Sequence, residues 1–495
     1  MSAPAAPTAG QPTPAHPTPP ISKGRLEALL ASPLATLVAR PWLDWLILRL
    51  VTRLYMPLSR AWAAALDSDG SVERFRMEIG CDLPERAVPT RALAKVAALK
   101  ADFKAADAAW LEAFFGKNEP GQAALLEAEG RWRRSSHRLM NARWKFLSLA
   151  LRHKLPAARY HIPAIDEVEA AYGPLRADLD KAFALPAPLP KIERSHAIER
   201  EWGREYWLRF ASPGPDRDQA WAHVFEPRAA EHAPSVIHGH GLSVEIEAYE
   251  DMVDDLLQLV ARGIRVIRLE APWHVRRRQQ GWYGGERFIA TQPLGALELL
   301  TTAAREMGIV AGWCRQQSAR RVAFGGASMG ALTAQLAAAR ARAWPERHRP
   351  DVLFLITTSD SVAALAVESS ISHGVGLPQA LHHGGWGDAN LGAFAAFTDP
   401  GLVAPLPPSN IIMALGRADD VTPCRRGASL AEHWNLPGRN LFLYDRGHFT
   451  VPIGMFRDRE PLERLVERLQ RKTTVGLREI QLKLATAPQQ STKTP

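Results

Sequence analysis

The sequence predicts an α/β protein: a mostly parallel central sheet with helices on both faces, preceded by a helical N-terminal region. Three observations carry this. The hydrophobic period changes along the chain, from helical spacing up to about residue 172 to short β-type runs alternating with helices beyond about residue 200. Within the second part, Arg321-Val-Ala-Phe-Gly-Gly-Ala-Ser-Met-Gly330 sets a G-x-S-x-G pattern between an apolar strand and a helix former running to Arg340. An aspartate and a histidine, Asp419 and His448, then follow later strand-like runs.

Taken in order, the 495 residues suffice for two or three domains. A hydrophobic content of 46% with 23% charged residues is that of a globular chain and excludes a wholly disordered one. Residues 1–20, rich in Pro, Ala and Thr, read as a disordered tail. No basic segment precedes an apolar core there, so no secretory signal is expected. Cys81, Cys314 and Cys424 lie far apart, which argues against a disulfide framework and against a zinc site. A cytoplasmic protein is the expectation.

Residues 21–172 read as helical. The apolar stretch Pro41–Leu58 is interrupted by Asp44, Arg49 and Arg53. It falls short of the roughly 20 predominantly apolar residues of a spanning helix. Thr90–Phe115 is Ala-rich with apolar spacing near the helical period, and Glu119-Pro-Gly breaks it before a second long helix. Residues 131–154 contain eight Lys or Arg, no acid, and the aromatics Trp132, Trp144 and Phe146. Either these belong to a helical bundle packed on the catalytic region, the simpler reading, or they make peripheral contact with an anionic membrane such as the inner membrane surface. The net charge of +9 lacks any nucleic-acid-binding motif beside it, so no nucleic acid is expected as partner. Residues 173–200, with a run of alternating prolines up to Pro190, read as a linker.

Residues 201–475 read as the catalytic domain. Glu205–Ala211 and Ala220–Phe225 predict an opening antiparallel pair. Ser235–Ile237, Ile264–Leu269, Arg321–Phe324, Asp351–Ile356, Asn410–Leu415 and Asn440–Tyr444 predict the further strands, of which Ser235–Ile237, Asp351–Ile356 and Asn410–Leu415 read as buried. Helices are expected at Glu245–Arg262, Leu294–Gln317 and Glu460–Lys472. A cap-like insertion at about 365–405 separates two of the strands, and 476–495 reads as a loose tail.

The candidate chemistry sits at the carboxyl ends of these strands, where ligands bind in such sheets. A serine hydroxyl needs a histidine base, and the histidine needs an acid to hold its tautomer. Ser328, Asp419 and His448 occur in that order, each after a strand. Asp419 is preferred over its neighbour Asp420 because of the Gly416-Arg-Ala-Asp-Asp-Val-Thr-Pro423 spacing, and Asp360 is a second candidate acid. The oxyanion of a tetrahedral intermediate needs two donors. One is expected from the backbone of Met329. The other is expected from His238-Gly-His-Gly241, by Gly239, His240 or Gly241, which the sequence does not distinguish.

Residues from about Ser235 to His448 resemble an α/β-hydrolase. More narrowly, Leu269-Glu-Ala-Pro-Trp-His-Val-Arg-Arg277, Gly285-Glu-Arg-Phe288 and Gly326-Ala-Ser-Met-Gly330 are similar to bacterial members of the abhydrolase-domain-containing protein 18 group. Gln279–Gly284 departs from the proline-containing loop of that group, which bears on the shape of the pocket. The loop from Pro272 to Phe288 carries three consecutive arginines and several aromatics. Trp273, His274, Arg276, Arg277 and Tyr283 are its candidate substrate contacts, the arginines facing an anionic group of the substrate. The alternative is an arginine that pairs with Glu286 and braces the loop. The expectation is a serine hydrolase acting on a small-molecule ester, lipid esters included, with no cofactor and no metal. Acyl transfer or thioester cleavage on the same triad, or a membrane-peripheral protein with a vestigial hydrolase domain, are the alternatives.

Overall fold

A computed structural model describes residues 40–242 and 256–471. The two predicted terminal tails, most of the predicted helix from Glu245, and Lys472 lie outside these residues.

The opening pair of strands feeds a sheet that is parallel from its middle outward. The strands are β1 (Glu193–Arg194), β2 (Ile198–Arg200), β3 (Gly203–Ala211), β4 (Gln219–Pro227), β5 (Ser235–Gly239), β6 (Arg265–Leu269), β7 (Val322–Ala327), β8 (Val352–Ile356), β9 (Ile411–Gly416) and β10 (Leu441–Tyr444). Their order is β1-β3-β4-β6-β5-β7-β8-β9-β10, with β2 beside β3. β4 runs antiparallel to both of its neighbours, β3 and β6, and β6, β5, β7, β8, β9 and β10 run parallel. β8 and β9 are buried along their whole length, which is why Val352–Ile356 and Ile411–Leu415 are unbroken apolar runs.

β1 and β2 correct the reading of 173–200 as a linker. Ile198 is buried, and Glu193 pairs with Arg209 of β3. The prolines that precede them suggested a flexible spacer, but two- and three-residue edge strands leave no alternating pattern to detect.

The chain runs from β5 outward to β6, then returns past β5 to β7. Successive crossovers therefore leave on opposite sides, and a crevice opens above the carboxyl ends of β5 and β7. Gly239 pairs with Gly326 across this point, so the two ends lie level.

One face of the sheet is covered by the helices Leu294–Gln316 and Met329–Arg340, and the other by Leu257–Ala261 and Glu460–Gln470. Side chains alternate between the two cores. Phe324, Leu353 and Leu355 face one; Ala323, Phe354 and Ile356 face the other.

The helical region begins with α1 (Pro41–Leu50), a π-helical turn Val51–Tyr55, and α2 (Met56–Asp67), in which every residue is buried. The long helices α3 (Thr90–Phe115) and α4 (Gln122–Asn141) form a hairpin across Gly116–Gly121. Trp110, Phe114 and Trp132 of this hairpin pack with Trp207 and Trp221 on the antiparallel side of the sheet. Within 131–154, Trp132 and Phe146 are core residues, whereas Trp144 and Leu151 are exposed. No described helix is long and apolar enough to cross a membrane.

Candidate active site

Ser328 joins β7 to the helix Met329–Arg340 with φ 56° and ψ −121°, a conformation that costs a non-glycine residue about 1–3 kcal/mol. Its N–H donates to the Ile356 carbonyl of β8 at 2.9 Å, which ties the turn to the neighbouring strand. The flanking glycines are obligatory for a steric reason. A Cβ on Gly326 would lie 2.2 Å from the Gly330 carbonyl carbon, and one on Gly330 would lie 2.0 Å from the Gly239 oxygen.

His448 follows β10 and brings Nε2 to 2.9 Å from Ser328 Oγ. Its Nδ1 lies 2.9 Å from Asp419 Oδ2. A carboxylate opposite Nδ1 requires the proton there, so Nε2 presents its lone pair to the serine hydroxyl. Asp419 is fixed in turn: Oδ1 accepts from the N–H groups of Val421 (2.9 Å) and Thr422 (2.8 Å), and Oδ2 from the Thr422 hydroxyl (2.8 Å). The other acids point elsewhere. Asp420 accepts from Ser370, Asp360 pairs with Arg426, and Asp445 pairs with Arg417.

Above Ser328 lies a cavity of about 410 Å³. Met329, Gly241 and Leu242 line it, while Gly239 and His240 do not. The Gly239 carbonyl is packed against Gly330. His240 turns its ring toward the chain, Nδ1 donating to the Gly241 carbonyl (2.7 Å) and Nε2 accepting from Ala271 N–H (3.1 Å). Burial, followed by the charge of Arg268, pushes the His238 pKa down to about 3, so this histidine is neutral. Among the described residues no cluster of His, Cys, Asp and Glu could hold a metal ion.

The cavity wall is apolar. Val362 and Leu365 of α5 (Val362–Glu368), Ile371 and Val375 of α6 (Ser370–Val375), and Leu377 of α7 (Leu377–His383), all between β8 and β9, line one side. Phe288, Ile289 and Leu332 line other parts; Gln292, Ser372 and Thr357 add uncharged polar groups, and no Asp, Glu, Lys or Arg is among the lining residues.

The five side chains expected to contact substrate are not in this wall. Trp273 is buried and donates Nε1–H to Asp216 (2.7 Å). His274 is buried, its Nδ1 donating to the Pro272 carbonyl (2.9 Å); burial, then the nearby His240, hold its pKa well below the ordinary value. Arg276 donates to Asp107 of α3 (2.8 Å) and lies within 4.3–5.8 Å of the ring centroids of Trp110, Trp132, Trp207 and Trp221. Arg277 bonds both oxygens of Glu306 (2.9 Å each) and both of Asp218. Burial opposes its charge, but Glu306 and Asp218 outweigh that and raise its pKa. Tyr283 donates to the Ala157 carbonyl (2.8 Å).

These loop cations therefore brace the fold. Buried charge is tolerated only when paired, and acids on other elements supply the pairs. The partner expected for the loop's arginines is also corrected: Glu286 pairs with Arg60 of α2 (2.6 Å), both completely buried.

Two residues of α1 at the site lay outside sequence reasoning. Ile47 of α1 lines the cavity, and Asp44 of the same helix bonds the loop that carries His448. The available signal was an acid inside an otherwise apolar stretch, which must find partners when buried.

No family model matches the chain, and no curated protein matches it. Among solved structures it is similar to acetyl xylan esterase 1 from Thermoanaerobacterium sp. JW/SL YS485, with TM-score 0.44 and 18% identity over 58% of this chain and 92% of that one. An acetyl xylan esterase from Paenibacillus sp. R4 gives TM-score 0.42 and 15% identity over 62% and 96%. Brefeldin A esterase, described as a bacterial homologue of human hormone-sensitive lipase, gives 0.37 and 15% over 66% and 90%. The fold rests on this chain's own features: the strand order, the crossover at β5 and β7, and the strained serine between strand and helix. By these the chain has the α/β-hydrolase fold.

Proposed function

We propose that the protein is a serine hydrolase that cleaves carboxylic esters through an acyl-enzyme, and that its substrates carry an apolar acyl group. The observation that carries this reading is the continuous relay from Ser328 Oγ through His448 to Asp419, each link 2.9 Å long. Ser328 Oγ attacks the ester carbonyl while His448 Nε2 takes its proton. Asp419 holds the tautomer and stabilises the imidazolium. The oxyanion faces the N–H of Met329, at the start of its helix, and the main chain at Gly241. His448 then returns the proton to the leaving alcohol, and water repeats the sequence to release the acid.

The wall of the cavity supports the substrate class. An apolar lining without a charged side chain favours a hydrocarbon acyl chain, such as that of a lipid ester, and penalises a charged one that would be desolvated without a partner. The likeness to the abhydrolase-domain-containing protein 18 group rests largely on Leu269–Phe288, of which Phe288 lines the cavity while Trp273, His274, Arg276 and Arg277 bond to groups of the fold. A panel of p-nitrophenyl esters of increasing acyl length, with charged-acyl counterparts, tests the reading. Turnover of the apolar esters that disappears in Ser328→Ala is expected. Preference for charged acyl groups contradicts it.

A further inference from the structure

Asp44 is 7% exposed, and the described structure gives its carboxylate to a single task. Oδ1 accepts from the main-chain N–H of Phe449 (2.6 Å) and Thr450 (3.1 Å). Oδ2 accepts from the N–H of Gly447 (3.2 Å) and from the Thr450 hydroxyl. The bonded amides thus lie on both sides of His448. The fit is close: a Cβ on Gly447 would stand 2.4 Å from Asp44 Cγ, so a glycine must precede the histidine for the carboxylate to reach the loop.

His448 has two bonds to keep at once, one to Asp419 and one to Ser328. Its backbone belongs to a short connection between β10 and the helix Thr450–Met455. Gly447 N–H has a second acceptor in Thr450 Oγ1 (3.0 Å), and that hydroxyl is itself held by Asp44. A carboxylate accepting backbone N–H groups makes bonds about twice as strong as neutral ones. A misplacement of about 1 Å at a catalytic group costs about 10²-fold in rate. Ile47, one turn along α1 from Asp44, lines the acyl cavity. One seating of α1 therefore sets both the histidine loop and part of the cavity wall.

We infer that Asp44 is a positioning residue for His448, and that α1 of the helical region completes the active site of the α/β fold. This rests on the serine-hydrolase reading above.

The test uses the full chain with Asp44→Ala, Asp44→Asn and Thr450→Val. Steady-state ester hydrolysis is measured together with the rate and final stoichiometry of fluorophosphonate labelling. In Asp44→Ala, kcat and the labelling rate constant are expected to fall about 10²-fold, with KM little changed and the labelled fraction at completion equal to that of the parent. Asp44→Asn, which keeps one acceptor oxygen, and Thr450→Val are expected to lose less. A purely structural role would lower the labelled fraction and leave the rate constant of the remaining molecules unchanged, and that result overturns the inference. So does an Asp44→Ala protein with parental kcat. If Asp44→Ala does not fold, the same split in the other two variants decides, and parental rate constants in both overturn it. If the parent itself takes no probe and hydrolyses no ester, the hydrolase reading fails first and the inference falls with it.

Discussion

The Pro272–Phe288 loop and helix α1 both border the space above the carboxyl ends of the strands, and they differ in what they do with their charges. The loop leaves β6 with three consecutive arginines, yet Arg276, Arg277 and Arg278 are each bound to acids: Asp107, Glu306 with Asp218, and Asp67. Two of these acids, Asp67 and Asp107, sit in α2 and α3. The loop is thus one of the surfaces on which the helical region docks. α1 carries a single acid on its buried side, and that acid is spent on the loop of His448. Its other side exposes Trp42, Trp45 and Leu50. Position at a strand end makes a loop eligible for substrate, but the partners of its charges decide whether it is free to serve.

The comparison can be broken most severely at the relay itself. His448→Gln is expected to lower ester turnover by about 10⁵-fold, and Asp419→Asn by about 10⁴-fold, in protein that melts like the parent. Turnover within tenfold of the parent in either would remove these residues from the chemistry. On the loop side, Arg277→Ala leaves Glu306 buried without its partner and should cost about 3–5 kcal/mol of stability in denaturant unfolding. The kcat of the folded fraction should not change. An Arg277→Ala protein of parental stability with raised KM for anionic esters would return that arginine to the substrate.

A smaller effect belongs to α1. Ile47→Trp narrows the cavity and should shift selectivity toward shorter acyl groups by about tenfold in kcat/KM. An unchanged chain-length profile would place Ile47 outside the acyl path. A further effect, on stability and not on turnover, appears in acid. The folded protein keeps His274 neutral far below, and His238 neutral down to about 3, whereas an unfolded histidine takes a proton near pH 6.5. Their contribution to stability is therefore complete above about pH 6.5 and is lost as pH falls, by up to about 1.4 kcal/mol per pH unit for each histidine. Melting curves of His274→Gln should show a shallower decline than the parent between pH 6.5 and 5. An identical slope would show that His274 titrates alike in both states.

Much of this was legible in the sequence because its signals are local. Six strands of the parallel part of the sheet announced themselves as apolar runs, and Gly326–Gly330 needed only its own neighbours to define the turn. Asp419 and His448 stood out through chain order and their places after strands, and the structure brings both to Ser328. The partners of Arg276, Arg277 and Arg278 were not legible. Asp107 and Asp67 lie 169 and 211 residues away, and nothing in the loop's own sequence says which acids meet it. Asp44 was visible only as an interruption in an apolar helix, because its bonds go to backbone groups that have no sequence signature. β1 and β2 were too short to show alternation.

The most direct measurement is intact-mass analysis of the full chain after reaction with a fluorophosphonate, followed by peptide mapping. One adduct per chain on Ser328, absent from Ser328→Ala, is the expected result. A folded parent that takes no adduct, or an adduct undiminished in Ser328→Ala, would contradict the assignment of Ser328 as the nucleophile.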